Sequence, residues 1–361
     1  MRNVTKRIDV GGVPIGGGSP VSVQSMTNTD TRDVEQTSAQ ICALEQAGCD
    51  IVRVSVFDRA CAAALREIRD RVSIPIVADI HFDYRLAIAA VENGADKLRF
   101  NPGNIGDESR VRALVACAKA HRVPIRIGVN AGSLEPALKK QYGAYSPRAM
   151  VESALRHVRI LEDEGFDDIV LSLKASNVED TVSACREISR CTDYPLHVGV
   201  TETGDAASGV VKSAIGIGAL LMDGIGDTIR VSLTDDPVRE VETGLHILRA
   251  LHLRNDDIEI VSCPTCGRTR VDLMRMVDLV AARLPRNRGY LKVAVMGCAV
   301  NGPGEAADAD IGIAFGNGNG ILFAGGEQVF HGTAEECVNA LIERAEQMLQ
   351  EREPGGNCRN N

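Results

Sequence analysis

The feature that most constrains this chain is a repeat of short β-rich runs, each followed by an Ala-, Leu- and Glu-rich helical stretch, over its first two-thirds. Strands that alternate with helices of this length are typical of parallel βαβ units, and eight units in about 250 residues match a (β/α)₈ TIM barrel. An open doubly wound sheet is the alternative, but no Gly-rich dinucleotide-binding sequence follows the first run. The eight predicted strands are Val21–Met26, Ile51–Val56, Pro75–His81, Lys97–Asn101, Ile125–Asn130, Ile169–Lys174, Leu196–Thr201 and Thr228–Leu233.

The pattern changes after about residue 255, where two strands each lead into a cysteine-containing turn. We therefore predict an α/β chain with a TIM-barrel domain at residues 1–254 and a small α/β domain at residues 255–350. The polar segment 351–361 contains Pro354 and two glycines, and we expect it to be a disordered tail. The elements predicted for the second domain are strands at Ile258–Val261, Leu291–Met296, Ile311–Phe315 and Ile321–Phe323, and helices at Val271–Leu284 and Ala334–Leu349.

Composition excludes several classes of protein. No stretch approaches about 18 consecutive apolar residues, so we expect no membrane-spanning helix. The polar start of the chain lacks the apolar core of a secretory signal. The chain has 40 Lys and Arg against 49 Asp and Glu, a net charge of −9, which argues against nucleic-acid binding. Eleven cysteines without an export signal favour the reducing cytoplasm, where clustered cysteines bind metals more often than they form disulfides.

The side chains expected to point into the barrel are polar. Residues alternate between the two faces of a strand, and in a barrel one face meets the helices. In the second strand, for example, Val52 and Val54 take the helix face, so Arg53 points inward. The same alternation gives the inward set Arg53, Ser55, Asp79, His81, Lys97, Arg99, Asn101, Arg126, Asn130, Ser172, Lys174, His197, Thr201, Arg230 and Ser232.

This inward set carries far more positive than negative charge. Unpaired charges inside a barrel cost several kcal/mol each, and the one acid, Asp79, does not neutralise five or six cations. The missing partner is an anionic ligand, and Arg side chains on separate strands suit a small substrate with more than one phosphate. The alternative is that loop carboxylates such as Glu202 or Asp227 pair with them. Asp79, His81 and Glu202 are candidate acid–base groups or positioning groups.

Three of the eleven cysteines differ from the others in their surroundings. Cys263 and Cys266 form a Cys-x-x-Cys turn after a strand, and Cys298 follows another strand. Glu305 lies seven residues beyond Cys298 on a Gly-rich loop. Three cysteines and one oxygen ligand favour an iron–sulfur cluster with one exchangeable position over structural zinc, which prefers two complete Cys-x-x-Cys pairs. A redox-active dithiol is the third interpretation.

Seven longer motifs resemble one family. They are Val23-Gln-Ser-Met-Thr27, Phe100-Asn-Pro-Gly-Asn104, Arg126-Ile-Gly-Val-Asn-Ala-Gly132, Ser172-Leu-Lys-Ala-Ser176, Gly199-Val-Thr-Glu202, Ser262-Cys-Pro-Thr-Cys-Gly267 and Met296-Gly-Cys-Ala-Val-Asn-Gly-Pro-Gly-Glu305. With them the chain resembles, over nearly its whole length, the iron–sulfur hydroxymethylbutenyl diphosphate synthases of the non-mevalonate isoprenoid pathway. Its length is similar to that of the compact two-domain bacterial form.

The resemblance implies a substrate, a cofactor and partners. The substrate is methylerythritol cyclodiphosphate, whose ring is opened and dehydroxylated with two electrons to give hydroxymethylbutenyl diphosphate. A [4Fe–4S] cluster falls on Cys263, Cys266, Cys298 and Glu305, and the acid–base carboxylate falls on Glu202. The diphosphate-binding residues fall on the cationic inward set. The resemblance also implies a homodimer, in which one subunit's cluster domain closes over the other's barrel, and flavodoxin or ferredoxin as electron donor.

Two other functions stay open at the level of sequence. A phosphate- and pterin-binding transferase, similar to dihydropteroate synthase in its barrel, would use Cys263, Cys266 and Cys298 for structural zinc. A non-catalytic redox sensor or scaffold would use a cluster without a substrate. The dense cationic interior argues against the scaffold, because a scaffold does not need that electrostatic strain.

Overall fold

The structure, a computed structural model, describes residues 2–101, 104, 107–143, 146–285 and 288–352. The chain divides into two compact units, with the boundary between Arg254 and Asn255. The first unit is built on an eight-stranded parallel sheet, and the second on a five-stranded mixed sheet. The predicted α/β fold, a TIM barrel followed by a small α/β unit, is confirmed.

A hairpin that the sequence analysis did not predict precedes the barrel. Strand β1 (Ile8–Val10) pairs antiparallel with β2 (Val13–Ile15). Its apolar side chains form a small core with inward residues near the amino ends of barrel strands: Ile8, Val10 and Ile15 pack with Ile51, Val77 and Val170. The hairpin therefore covers the amino-terminal end of the barrel, whereas Asp79, Asn130 and Lys174 lie at the carboxyl ends of their strands.

The barrel strands lie close to their predicted positions. They are β3 (Ser22–Met26), β4 (Ile51–Ser55), β5 (Ile76–Asp79), β6 (Lys97–Phe100), β7 (Ile125–Asn130), β8 (Ile169–Lys174), β9 (His197–Val198) and β10 (Thr228–Ile229). The sheet order is β8-β7-β6-β5-β4-β3-β10-β9. A parallel bridge between Leu171 and Leu196 joins the two ends of this order, so the barrel is nearly closed.

Strands β9 and β10 are much shorter than predicted. The last backbone bond between them runs from the Arg230 N–H to the Val198 carbonyl (3.0 Å). At Gly199 the backbone passes so close to the Arg230 carbonyl that a Cβ would lie 2.2 Å from its oxygen. The regular ladder ends there, and Thr201, Glu202 and Ser232 lie in loops beyond the strands.

Most helices of the first unit begin at acidic or amide caps. The side chains of Asp33, Asp58, Asp107, Asn177 and Asp205 each accept a backbone N–H of the first helical turn, which stabilises helix starts. Gly48, Gly94 and Gly165 follow helix ends with positive φ angles, a backbone conformation that glycine adopts without strain. The helices are α1 (Val34–Gln46), α2 (Arg59–Arg69), α3 (Tyr84–Glu92), α4 (Glu108–His121), α5 (Pro136–Tyr142), α6 (Pro147–Asp163), α7 (Val178–Cys191), α8 (Ala206–Met222) and α9 (Pro237–Ala250).

The second unit is a mixed sheet in the order β11-β12-β13-β14-β15, with the first three strands parallel and the last two antiparallel. Its strands are β11 (Ile258–Ser262), β12 (Leu291–Met296), β13 (Ile311–Phe315), β14 (Asn319–Ala324) and β15 (Glu327–Thr333). Its helices are α10 (Leu273–Arg283), α11 (Gly302–Asp308) and α12 (Ala334–Arg352). Helices α10 and α12 cover one face of the sheet, and α11 packs on alanines of the other face.

The sequence analysis placed the start of the disordered tail at residue 351, but residues 351 and 352 belong to helix α12. The Arg352 guanidinium donates to the Tyr290 carbonyl (2.9 Å) and to the Asp310 carboxylate (2.7 Å), which fixes this end of the helix. Residues 353–361 lie outside the described part of the chain. Within that described part, we find no helix that is both long and apolar enough to cross a bilayer.

Candidate active site

Six basic side chains project inward from the barrel strands or follow them directly: Arg53, Lys97, Arg99, Arg126, Lys174 and Arg230. They lie close enough for their positive charges to affect one another. The apolar residues next to them in the sequence pack against the helices. The alternation inferred from the sequence therefore directs all six basic side chains into the barrel interior. So many buried positive charges close together destabilise the fold unless anionic groups compensate them.

Asp79 is one anionic partner. Its carboxylate accepts from Arg99 Nη1 at 3.0 Å and lies 3.6 Å from Arg53 Nε. Burial alone would raise the pKa of Asp79, but the charges of Arg53 and Arg99 outweigh burial and lower it. Asp79 is therefore ionised and holds two guanidinium groups side by side.

Glu240 is a second anionic partner, which the sequence analysis missed. It lies in α9, is buried, and accepts from Arg230 Nε at 3.3 Å and Nη2 at 3.2 Å. The loop carboxylates proposed as partners do not pair with these arginines: Asp227 bonds to Arg2 (3.0 Å), and Glu202 is exposed. The available signal was a glutamate on the otherwise apolar buried face of helix α9.

The remaining cations lack an acidic partner among the described residues. Arg126 is 1% exposed, and its Nε and Nη2 atoms have no hydrogen-bond partner there; the same holds for the Lys97 ammonium, which is 0% exposed. Lys174 Nζ lies 3.4 Å from His197 Nε2. Burial, followed by the charge of Arg126, holds the pKa of both lysines well below its ordinary range. An incoming anion would relieve this uncompensated charge.

Lys97 allows a test of this electrostatic description. We expect Lys97→Met to raise the free energy of unfolding near neutral pH by about 1–4 kcal/mol, because a well-packed apolar side chain replaces a buried unpaired charge. The folded-state pKa lies below the ordinary value of about 10.4. Between the two values the unfolded chain therefore binds more protons, and wild-type stability rises with pH.

The advantage of Lys97→Met should therefore shrink as the pH rises toward about 10.4. Urea unfolding at several pH values measures this difference. The matched control is Lys140→Met, which replaces an exposed lysine on α5 and should show no such trend. A Lys97→Met protein that is less stable than wild type near neutral pH would contradict the description.

The other predicted barrel residues surround the cations at the carboxyl ends of the strands. His81 Nε2 lies 3.3 Å from Arg99 Nη1, and the Asn101 side chain accepts from the Gly128 N–H (2.9 Å). The Ser232 carbonyl accepts from the Thr203 hydroxyl. A cavity of about 430 Å³ opens at this end, and its lining includes Asn130, Lys174, Thr201 and Glu202.

Glu202 is the one predicted catalytic residue of the barrel with an unusual backbone. Its φ of +53° places it in the left-handed region, which is uncommon for residues other than glycine. Such strain often accompanies a functional role. Glu202 is exposed and lines the same cavity as Lys174.

The three singled-out cysteines lie at the carboxyl ends of two neighbouring parallel strands, β11 and β12. Cys263 Sγ accepts the Gly297 N–H at 3.2 Å, which ties the two turns together. The Arg268 backbone N–H lowers the pKa of Cys266, and the Val300 and Asn301 N–H groups lower that of Cys298. Thiols that ionise readily are the form that binds metals.

Glu305 lies in the first turn of α11, and its side chain is exposed. Across the described residues, no three His, Cys, Asp or Glu side chains converge closely enough to hold a metal ion in this conformation. The donor set nevertheless fits an iron–sulfur cluster, since such clusters take thiolate ligands and are tuned by N–H groups directed at sulfur. Of the predicted ligands, the structure therefore brings the cysteine turns together but does not form the closed site.

Comparison with protein families identifies the group to which the chain belongs. The GcpE TIM-barrel domain matches residues 5–245, and the GcpE protein C-terminal domain matches residues 259–347. The chain belongs to the GcpE family. This confirms the family resemblance that the sequence motifs indicated.

Curated relatives of this GcpE chain match it over nearly its full length. A protein of Caldanaerobacter subterraneus subsp. tengcongensis is 55% identical and covers 97% of this chain and 99% of its own. A protein of Geobacter sulfurreducens is also 55% identical and covers 98% of this chain and 100% of its own. Both are named 4-hydroxy-3-methylbut-2-en-1-yl diphosphate synthase (flavodoxin). The prediction that the chain is an oxidoreductase of this family is confirmed.

Solved structures share the barrel fold at low sequence identity. Dihydropteroate synthase from Stenotrophomonas maltophilia matches with a TM-score of 0.51 and 15% identity, over 69% of this chain and 97% of its own. The 7,8-dihydropteroate synthase from Vibrio fischeri matches with a TM-score of 0.50 and 13% identity, over 68% of this chain and 98% of its own. At these identities the likeness shows the barrel fold alone.

Proposed function

We propose that this chain converts 2-C-methyl-D-erythritol 2,4-cyclodiphosphate to 4-hydroxy-3-methylbut-2-enyl diphosphate. Two electrons and two protons enter, the ring opens, and one water leaves. The observation that carries the proposal is the set of buried cations in the barrel without acidic partners, headed by Arg126. A substrate with two phosphates supplies the missing negative charge, and the named activity of the full-length relatives consumes or forms such a molecule.

In this proposal the barrel binds and orients the substrate. Arg126 and Lys174 are the primary phosphate ligands, because their own charges are uncompensated and guanidinium groups suit phosphate oxygens. Arg53 and Arg99, fixed by Asp79, and Arg230, fixed by Glu240, add directed donors. His81, Asn101, Asn130 and Ser232 border the same space and complete the substrate site.

Proton transfer is assigned to Glu202. Its exposed carboxylate borders the cavity that Lys174 lines, within the loop that follows β9. The removal of a hydroxyl as water requires a proton at the departing oxygen, and a carboxylic acid can supply it. The cations that bind the phosphates would also stabilise negative charge that develops when the ring opens.

The second unit is proposed to hold the redox cofactor. Cys263, Cys266, Cys298 and Glu305 would be the ligands of a [4Fe–4S] cluster with one exchangeable position. When bound, this cluster would pass the two electrons of the reaction from the electron donor to the substrate. The lowered pKa values of Cys266 and Cys298 support thiolate ligation, and the Gly297 N–H donates to the Cys263 sulfur (3.2 Å).

Anaerobic purification followed by absorption spectroscopy and metal analysis tests the cofactor. A broad band near ~400 nm and about four irons per chain support the proposal. A colourless protein with about one zinc per chain, after attempted cluster reconstitution, would contradict it. That result would favour the alternative, a barrel transferase with a structural zinc site.

We propose flavodoxin as the electron donor, because the relatives' names specify it. An acidic donor requires a basic surface near the cofactor. Arg268, Arg270 and Arg275 are exposed around the cysteine turns, and the charge of Arg268 reaches both Cys266 and Cys298. These three arginines form the candidate donor-binding surface.

The double variant Arg268→Glu/Arg270→Glu should weaken flavodoxin binding at least about tenfold at low salt, because charge pairs steer such weak complexes. The difference should nearly vanish at about 1 M salt, where charges are screened beyond about 3 Å. Titration calorimetry with the cluster-loaded protein measures it. Arg344→Glu on α12 is the control, and unchanged binding by the double variant would refute this surface.

A homodimer in the cytoplasm completes the proposal. Helix α8 supports self-association, because its exposed side chains include Val211, Ile215 and Met222, and Lys212 is its single charged residue. The cytoplasm is proposed because thiolate ligands need a reducing compartment.

A further inference from the structure

The carboxylate of Glu240 has an unusually complete set of partners. Besides the Arg230 guanidinium, it accepts the Ser25 hydroxyl (3.2 Å to Oε2) and the Leu233 N–H (2.9 Å to Oε1). It therefore joins helix α9 to strand β3, to Arg230 and to the loop beyond β10. The side chain is 4% exposed and lies outside the set of residues assigned to the substrate.

These contacts leave one part of Arg230 available. Glu240 engages the Nε and Nη2 atoms, at 3.2–3.4 Å. The Nη1 atom faces the Met26 sulfur at 3.7 Å, and Arg53 contacts the same sulfur from another side through Nη2 at 2.9 Å. One edge of the Arg230 guanidinium is thus fixed by an acid, while its Nη1 atom shares the Met26 sulfur with Arg53.

We propose that Glu240 is a positioning residue that aims the Arg230 guanidinium at the diphosphate of the substrate. This inference rests on the proposed function, since it takes Arg230 as a phosphate ligand. A planar guanidinium held along one edge presents its remaining donors in a fixed direction, which lowers the entropy that binding would cost. Glu240 acts through Arg230 and touches no substrate atom.

A simpler role for Glu240 is charge compensation, and it predicts the opposite result. If the carboxylate only offsets the charge of Arg230, then Glu240→Gln leaves one more uncompensated cation and should tighten anion binding. If it positions Arg230, the same variant should weaken binding, because a neutral amide loses the charge-assisted bonds. The sign of the change therefore separates the two roles.

The strand that carries Arg230 offers a matched control. Asp227 precedes β10 at its amino end, is 3% exposed, and accepts from Arg2 (3.0 Å), Thr5 (3.0 Å) and the Leu196 N–H (3.0 Å). It has the same kind of surroundings as Glu240 but faces away from the predicted substrate end. Asp227→Asn should lower the melting temperature without altering anion affinity.

The test is calorimetric binding of inorganic pyrophosphate and of the cyclic diphosphate to the oxidised holoenzyme. For Glu240→Gln we expect the Kd to rise about tenfold, as for the loss of one charge-assisted hydrogen bond. In turnover the KM should rise similarly, while kcat changes less than about threefold. If Glu240→Gln does not fold, Ser25→Ala removes one bond to the same carboxylate and should raise the Kd about twofold to threefold.

The outcomes separate this inference from the proposed function. An unchanged or lower Kd for Glu240→Gln, with a raised Kd for Arg230→Gln, contradicts the positioning role alone. A wild-type protein that binds neither probe contradicts the anion site and thus the proposed function. A raised Kd for Asp227→Asn equal to that of Glu240→Gln would show a general loss of packing and also contradict the inference.

Discussion

Replacing Arg126 by alanine should lower kcat/KM for the cyclic diphosphate by about a hundred- to a thousandfold and leave the iron content unchanged. Arg126 is fully buried at the centre of the cationic set, and two of its nitrogens have no partner among the described residues. Bound phosphate would be paired with this charge away from water. Removing one member of a buried ion pair costs about 3–5 kcal/mol, which corresponds to this loss.

Stability distinguishes this role from a structural one. Burial and the neighbouring charges of Arg53 and Arg99 oppose the charge of Arg126, so its pKa lies well below its ordinary value. In the absence of substrate, Arg126→Met, which keeps most of the buried side-chain volume, should therefore unfold at the same or a higher urea concentration than wild type. A residue that supports the fold would show the reverse.

Steady-state kinetics with a chemical reductant, together with urea unfolding and iron analysis, checks the Arg126 prediction. Arg112→Ala is the control, because Arg112 pairs with Glu164 on the barrel surface and should contribute little. Normal turnover by Arg126→Ala would show that the barrel cations do not anchor the substrate. A loss of iron in the same variant would show that the effect is indirect.

The second large effect is expected for Cys298→Ser, which should reduce bound iron from about four per chain to near zero and abolish turnover. Cys298 follows β12 next to the turn that carries Cys263, and backbone N–H groups of Val300 and Asn301 lower its thiol pKa. A serine hydroxyl does not ionise near neutral pH and is a poor ligand for the iron of such a cluster. The loss of one of three thiolates should therefore prevent stable assembly.

Pyrophosphate binding provides the internal control for Cys298→Ser. The barrel residues are unchanged in this variant, so its affinity for pyrophosphate should stay within about twofold of wild type. Cys117→Ser is the matched control variant, because Cys117 is a half-buried thiol on α4 outside the cysteine turns. Full iron content in Cys298→Ser after anaerobic purification would exclude Cys298 as a ligand.

The barrel could be predicted from the sequence because its strands and helices repeat regularly and each leaves a periodic pattern of apolar residues. Each strand buries one face against helices, and most helices begin at a polar cap, so both periods are visible along the chain. The hairpin β1–β2 lacked such a signal, since its strands have three residues each. Strand β15 was missed because it is exposed along nearly its whole length and shows no apolar alternation.

The residues of the candidate site could be predicted where the alternation of side chains along a strand decides which of them point into the barrel. Arg53, Arg99 and Arg126 lie where alternation places them, next to Asp79. Glu240 was missed because it reaches the barrel from a helix, and strand alternation carries no information about helix residues. The pairing of Asp227 with Arg2 likewise depends on a segment far away in the chain.

The most direct test of the proposed activity is anaerobic turnover of the cyclic diphosphate by the cluster-loaded protein with a chemical reductant, followed by identification of the product. The account predicts 4-hydroxy-3-methylbut-2-enyl diphosphate, formed with two electrons consumed per molecule, and about a hundred- to a thousandfold less kcat/KM with Arg126→Ala. Substrate recovered unchanged from a protein with full iron content would contradict it.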